Sequence, residues 1–76
     1  MIIAMRQDLV AQGLAIPANN TEDFYSAEEV ANMEFLGCLN ELGNETDGGL
    51  YYRMKTKDGT MVHLFAVDLD IVMDGE

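Results

Sequence analysis

Cys38 and His63 are the one thiol and the one imidazole of this chain, a pair of side chains whose types could do nucleophilic chemistry. A thiolate nucleophile needs an exposed or cationic setting that lowers its pKa, with a base in reach. The run around it, Phe35-Leu36-Gly37-Cys38-Leu39, is apolar. Cys38 therefore reads as a small buried hydrophobe in a reducing compartment, and a lone cysteine forbids an internal disulfide. His63 reads as a half-buried side chain packed across from Met54. Calcium fits no better. With Gly48 at the sixth position of an EF-hand loop, the first and twelfth ligand positions fall on Gly43 and Met54. Asp68, Asp70 and Asp74 fail likewise, because Val72 takes the middle ligand position. Asn19 and Asn44 head N-x-T triplets that matter only in a secreted chain. There is no P-loop, no G-x-G-x-x-G, no CxxC and no H-E-x-x-H. These residues point away from an enzyme and away from any cofactor or metal.

What remains is carboxylate chemistry. Fourteen acids against four bases give a net charge of −10, above the magnitude of about 2 to 8 usual in a small domain. Between Arg6 and Arg53 there is no Lys or Arg. Asp8, Glu22, Asp23, Glu28, Glu29, Glu34, Glu41, Glu45 and Asp47 all fall in that interval. An unneutralised anionic surface repels phosphates and suits a Lys/Arg-rich protein surface. Nucleic acid itself is thereby excluded as a direct ligand, and no apolar run is long enough to span a membrane.

The elements that would position these acids follow from local patterning. Ser26 and Glu29 form a capping box, and Gly43 sits where a left-handed residue would end a helix. The segment between, Ser26 to Gly43, is expected to be a helix of about four turns, apolar on most of its circumference. On it, Glu34 and Glu41 would share one ridge about 10.5 Å apart. Ile2 to about Gln12 has near-helical spacing with Gly13 as its stop. A strand at Ile2 to Met5 competes, because β-branched residues cluster there. Leu50–Thr56 and Thr60 to about Met73 read as a β-hairpin around Asp58-Gly59. A two-residue turn sets Met54 opposite His63, Tyr52 opposite Phe65 and Leu50 opposite Val67. Three of the four bases, Arg53, Lys55 and Lys57, ride the first of these strands. Asp68 and Asp70, about 6.6 Å apart, lie on a stretch that outruns its partner. That stretch either stays a free edge or pairs with Ile2 to Met5.

Residues 1–76 thus read as a single α+β domain: two helices, then a β-hairpin, with a helix layer packed on a small antiparallel sheet. In size, charge and this α+β layout the chain resembles small acidic phage-encoded inhibitors, the anti-CRISPR and anti-restriction proteins that mimic nucleic acid. The likeness is one of bulk character, with no shared motif and so no residue carried over. It implies a cytoplasmic, non-enzymatic inhibitor that docks on a basic nuclease or a CRISPR effector subunit. Glu28, Glu34, Glu41, Glu45, Asp47, Asp68 and Asp70 are the candidate partner-binding residues. The alternative is a homo-oligomeric structural or adaptor module, a homodimer for instance, built on the apolar helix and the free strand edge.

Overall fold

In the computed structural model, residues 2–72 are described. Met73 and Asp74, named above, lie outside them. In chain order the elements are β1 (Ile2–Met5), α1 (Gln7–Ala11), β2 (Ile16–Pro17), β3 (Phe24–Tyr25), α2 (Ala27–Ala31), β4 (Glu34–Leu39), β5 (Tyr51–Lys55), β6 (Met61–Phe65), a 3₁₀ turn (Ala66–Asp68) and β7 (Leu69–Val72). The strands make three antiparallel sheets, ordered β1-β7, β2-β3 and β4-β5-β6. The chain is thus mostly β with two short helices, which overturns the expectation of two helices followed by a hairpin.

The long helix at Ser26–Gly43 is the main correction. Its start is as expected: Glu29 N donates to Ser26 Oγ at 3.2 Å and Ser26 N to Glu29 Oε1 at 2.9 Å. Its end comes after five residues. Asn32 supplies the stop, its side-chain amide donating back to the Glu28 carbonyl at 3.0 Å, a local bond that competes with helix continuation. Glu34–Leu39 then runs as a strand with a bulge between Phe35 and Gly37. Apolar residues all around a helix had signalled a wrong period: they are a short, dense strand, which periodicity alone cannot tell from a buried helix.

The amino-terminal segment resolves into both of its competing readings. Ile2–Met5 is a strand and only Gln7–Ala11 is helical. Gly13, at φ 69°, closes that helix. Gly13 N bonds to Val10 O and Leu14 N to Leu9 O, the two bonds of a Schellman motif. β1 pairs with β7 in the register Ile2↔Val72 to Met5↔Leu69, so the stretch beyond the hairpin is taken up within the chain.

The hairpin is present with a slipped register. Gly59 N donates to Thr56 O at 3.0 Å and Thr56 N to Thr60 O at 2.8 Å, and Gly59 has φ 92°. This is a three-residue loop with a left-handed glycine, not the two-residue turn expected. Met54 therefore faces Val62, Tyr52 faces Leu64, and His63 faces Arg53. A one-residue slip moves β6 side chains to the other face. Val62 and Leu64 are fully buried, while Met61 is 46% exposed. Leu50 does not reach Val67, because the second strand leaves the sheet at Phe65, where Ala66 N bonds to Leu50 O.

The core joins that inner sheet face to the β1-β7 ribbon and α2. It comprises Ile3, Met5, Ile16, Ala18, Tyr25, Val30, Met54, Val62, Leu64 and Leu69. The outer edge of β6 is capped by residues 18–20. Ala18 bridges Leu64, and Asn19 N donates to His63 O at 2.7 Å. The Asn20 side-chain amide then plays the part of a peptide group, accepting from His63 N at 2.8 Å and donating to Met61 O at 3.2 Å. Leu39 is buried apart from this core. A side chain on Gly49 would collide with the Leu39 backbone.

Two substitutions measure these devices by chemical denaturation. Asn20→Ala strips two hydrogen bonds from the β6 edge and is expected to cost about 1–3 kcal/mol. Gly49→Ala drives residue 49 away from the Leu39 backbone at the end of β4 and is expected to cost at least about 1–3 kcal/mol. Unchanged denaturation midpoints would contradict these roles.

Candidate partner-binding surface

Of the fourteen acids, twelve lie among the described residues, and all of these except Asp68 are exposed. The expected helical ridge of Glu34 and Glu41 does not exist: Glu34 opens β4 and Glu41 lies in the turn that follows it. Glu28 sits in the first turn of α2. Asp70 is on β7 opposite Ala4, while Asp68 belongs to the 3₁₀ turn and not to a strand face shared with Asp70.

The structure gathers only some of these residues. Glu45 and Asp47 line one open groove of ≈ 400 Å³ with Leu36, Gly37, Cys38 and Thr46. The loop that carries them is tied down at several points. Asn40 Oδ1 accepts from Leu42 N at 2.9 Å and Asn44 N at 3.0 Å. Thr46 N donates to Cys38 O at 3.0 Å and Asn40 N to Asn44 O at 2.8 Å. Glu41, Glu45 and Asp47 thus sit on one loop held against the end of β4.

A second groove, of ≈ 420 Å³, was not foreseen. Asp23 and Glu29 line it from one side of the fold, and Lys57 and Asp58 from the hairpin turn. No spacing rule joins residues so far apart in sequence; only the packing of α2 beside the hairpin end does. Two of its acids already serve inside the chain. Glu29 is in the capping box, and Asp58 accepts from Thr56 Oγ1 and, at 3.3 Å, from Thr60 N. Those hydrogen bonds hold the Asp58 carboxyl below its ordinary value of 3.8.

The bases divide by role. Arg6 is consumed internally: Nε and Nη2 donate to the Asp8 carboxylate at 2.6 and 3.0 Å, and Nη1 to the Val67 carbonyl at 2.7 Å. The hydrogen bond with Asp8 raises the Arg6 pKa, and nearby Asp68 and Asp70 add to that rise. Arg6–Asp8 is the one ion pair among the described residues. Arg53, Lys55 and Lys57 form none there, although Glu34 stands directly across from Lys55.

The thiol and the imidazole are not brought together. Cys38 aligns with Tyr52 and hence with Leu64 on the core face; His63 aligns with Arg53 on the other. Burial, then the Arg53 charge, pushes the His63 pKa down. No group of three metal-ligating side chains occurs among the described residues, and no helix there is long and apolar enough to cross a membrane.

No protein-family model matches the chain, and no curated protein or solved structure matches it either. Its surface has to be read from its own residues.

Two measurements check these placements. Alkylation of Cys38 by iodoacetamide should proceed at the same rate in wild type and in His63→Gln; a slower variant would mean that thiol and imidazole communicate. Asp58, with a pKa depressed by folding, contributes stability above its unfolded value that is lost as pH falls through the folded one. The melting-temperature gap between wild type and Asp58→Asn should therefore narrow on acidification below pH 3.8.

Proposed function

We propose that this chain is a non-enzymatic acidic inhibitor that occupies a Lys/Arg-rich, nucleic-acid-binding surface of a partner such as a nuclease or CRISPR effector subunit. The observation that carries the reading is the lack of internal neutralisation. Eleven described carboxylates are exposed, and Asp8 alone is in an ion pair. Self-repulsion of this kind costs folding free energy, a cost offset when a cationic surface arrives. Oriented carboxylates then take the place of phosphates.

The geometry moves the emphasis from a helical ridge to the loop of Glu41, Glu45 and Asp47. That loop is pinned by its own hydrogen bonds, so little ordering is required on binding. Its neighbouring groove offers Leu36 and Cys38 as apolar floor beside the acids, an arrangement suited to the stem and head of an Arg or Lys side chain. Glu28, Glu34 and Asp70 extend the anionic field, which steers encounter more than it fixes the docked pose.

Retention of a basic nucleic-acid-binding protein from host lysate on immobilised chain tests this reading. The bound partner should be released by raising salt from about 0.05 M to about 0.5 M, as screening of surface charge requires. A competing oligonucleotide should also release it. The Glu45→Lys/Asp47→Lys variant should bind at least about tenfold more weakly, the loss expected when like charges are juxtaposed. Retention indifferent to salt, to oligonucleotide and to the charge reversal would sink the proposal.

A further inference from the structure

The slipped hairpin register builds a surface that the acidic reading does not use. On the face of β4-β5-β6 opposite the core, three cross-strand rows run in parallel. Leu39 (itself fully buried), Tyr51 and Phe65 form one, Gly37, Arg53 and His63 the next, and Glu34, Lys55 and Met61 the last. Tyr51 and Phe65 meet edge to face with ring centroids 5.3 Å apart, and neither packs on the main core. Gly37 leaves the space above the middle row open, with no atom within 4 Å of where a Cβ would stand. Arg53 and Lys55 reach this face with no acid in ion-pair range among the described residues. With Glu34 as the one acid in these rows, the result is a partly greasy shelf with a small cationic excess on a molecule of net charge −10.

The same chain carries the complement. Leu42, 80% exposed, is the most exposed large hydrophobic residue among those described. It projects from the hydrogen-bonded loop between Glu41 and Glu45, so an apolar knob is flanked by acids. The shelf is its converse, with Met61 and the aromatic pair beside bases. A single-stranded nucleic acid would find aromatics and cations here too, but a polyanion must cross the field of the whole acidic surface. A copy of this chain can present its acids on one tethered knob.

We infer that a second copy of this chain docks its Glu41–Asp47 loop on the outer face of the β4-β5-β6 sheet, Leu42 against Met61 and the loop acids against Arg53 and Lys55. Knob and shelf are different patches, so copies either exchange them reciprocally about a two-fold axis or propagate head to tail until a ring closes. It also fixes an unusual salt response. Two bodies of charge −10 repel at long range, and that repulsion is screened beyond about 10 Å at 0.1 M salt, whereas close contacts are screened less. Association therefore peaks at intermediate salt.

Sedimentation equilibrium over a concentration series is the test. The weight-average mass should rise between about 0.01 and 0.1 M salt and fall again near 1 M. Arg53→Glu/Lys55→Glu should abolish association, and so should Glu45→Lys/Asp47→Lys, each with an unchanged circular dichroism spectrum. Mixed together, the two reversals restore opposite charge at both knob-on-shelf contacts, so the mixture should regain an association that neither variant shows alone. A chain that stays monomeric at every salt, oligomers that survive either reversal, or a mixture that fails to pair would each overturn the inference. So would binding of an oligothymidine probe that Arg53→Glu/Lys55→Glu removes, which would give the face to nucleic acid. Loss of binding to a basic partner leaves these outcomes untouched, so failure of the inhibitor reading and of self-docking are separable.

Discussion

The antiparallel pairing of β1 with β7 is the contact from which the rest of the fold hangs. It joins Ile2–Met5 to Leu69–Val72, segments at opposite ends of the described chain. Ile3, Met5 and Leu69 then deliver their side chains to the core shared with Met54, Val62 and Leu64. Take the ribbon away and the inner face of the three-stranded sheet loses much of its cover, with α2, Tyr25 and residues 16–18 left to shield it. A two-stranded ribbon is marginal by itself. It persists here because Arg6 staples it: Arg6 N bonds to Asp68 O and its guanidinium holds the Val67 carbonyl and the Asp8 carboxylate at once. The only base in the amino-terminal half is thus spent on topology.

That expenditure shapes the surface. With Arg6 engaged, the acids from Glu22 to Asp47 have no cation of their own segment to meet; Lys55 faces Glu34 across the sheet and Lys57 shares a groove with Asp23 and Glu29, yet neither is in an ion pair among the described residues. What stands beside Arg53 and Lys55 on the outer sheet face is set by the loop at Asp58-Gly59, which holds three residues. A shorter turn would have sent Met61, His63 and Phe65 inward against the core and left Val62 and Leu64 beside Arg53.

Local signals with a backbone mechanism were legible in the sequence. The capping box at Ser26 and Glu29, the stop at Gly13 and the hairpin at Asp58-Gly59 all depend on neighbours within a few residues. Element type was not, because it is decided at longer range, and the hairpin register turned on whether its loop holds two residues or three. Phe35-Leu36-Gly37-Cys38-Leu39 could bury itself as helix or strand; pairing with β5 chose strand, and the bulge beside Gly37 hid the alternation that would have announced it. The exposed acids were readable one by one. Their grouping, Glu45 and Asp47 beside Leu36 and Cys38, depends on a loop folding back on β4, and Asp23 with Asp58 on packing between distant segments.

The register that opposes Ile2 to Val72 also sets how the molecule bears load. Tension applied at those two residues pulls apart strands whose ends lie side by side, so each hydrogen bond of the ribbon takes the whole force in turn and none shares it. The fold would open like a zip from that end, uncovering the core face of the larger sheet while β4, β5 and β6 were still joined.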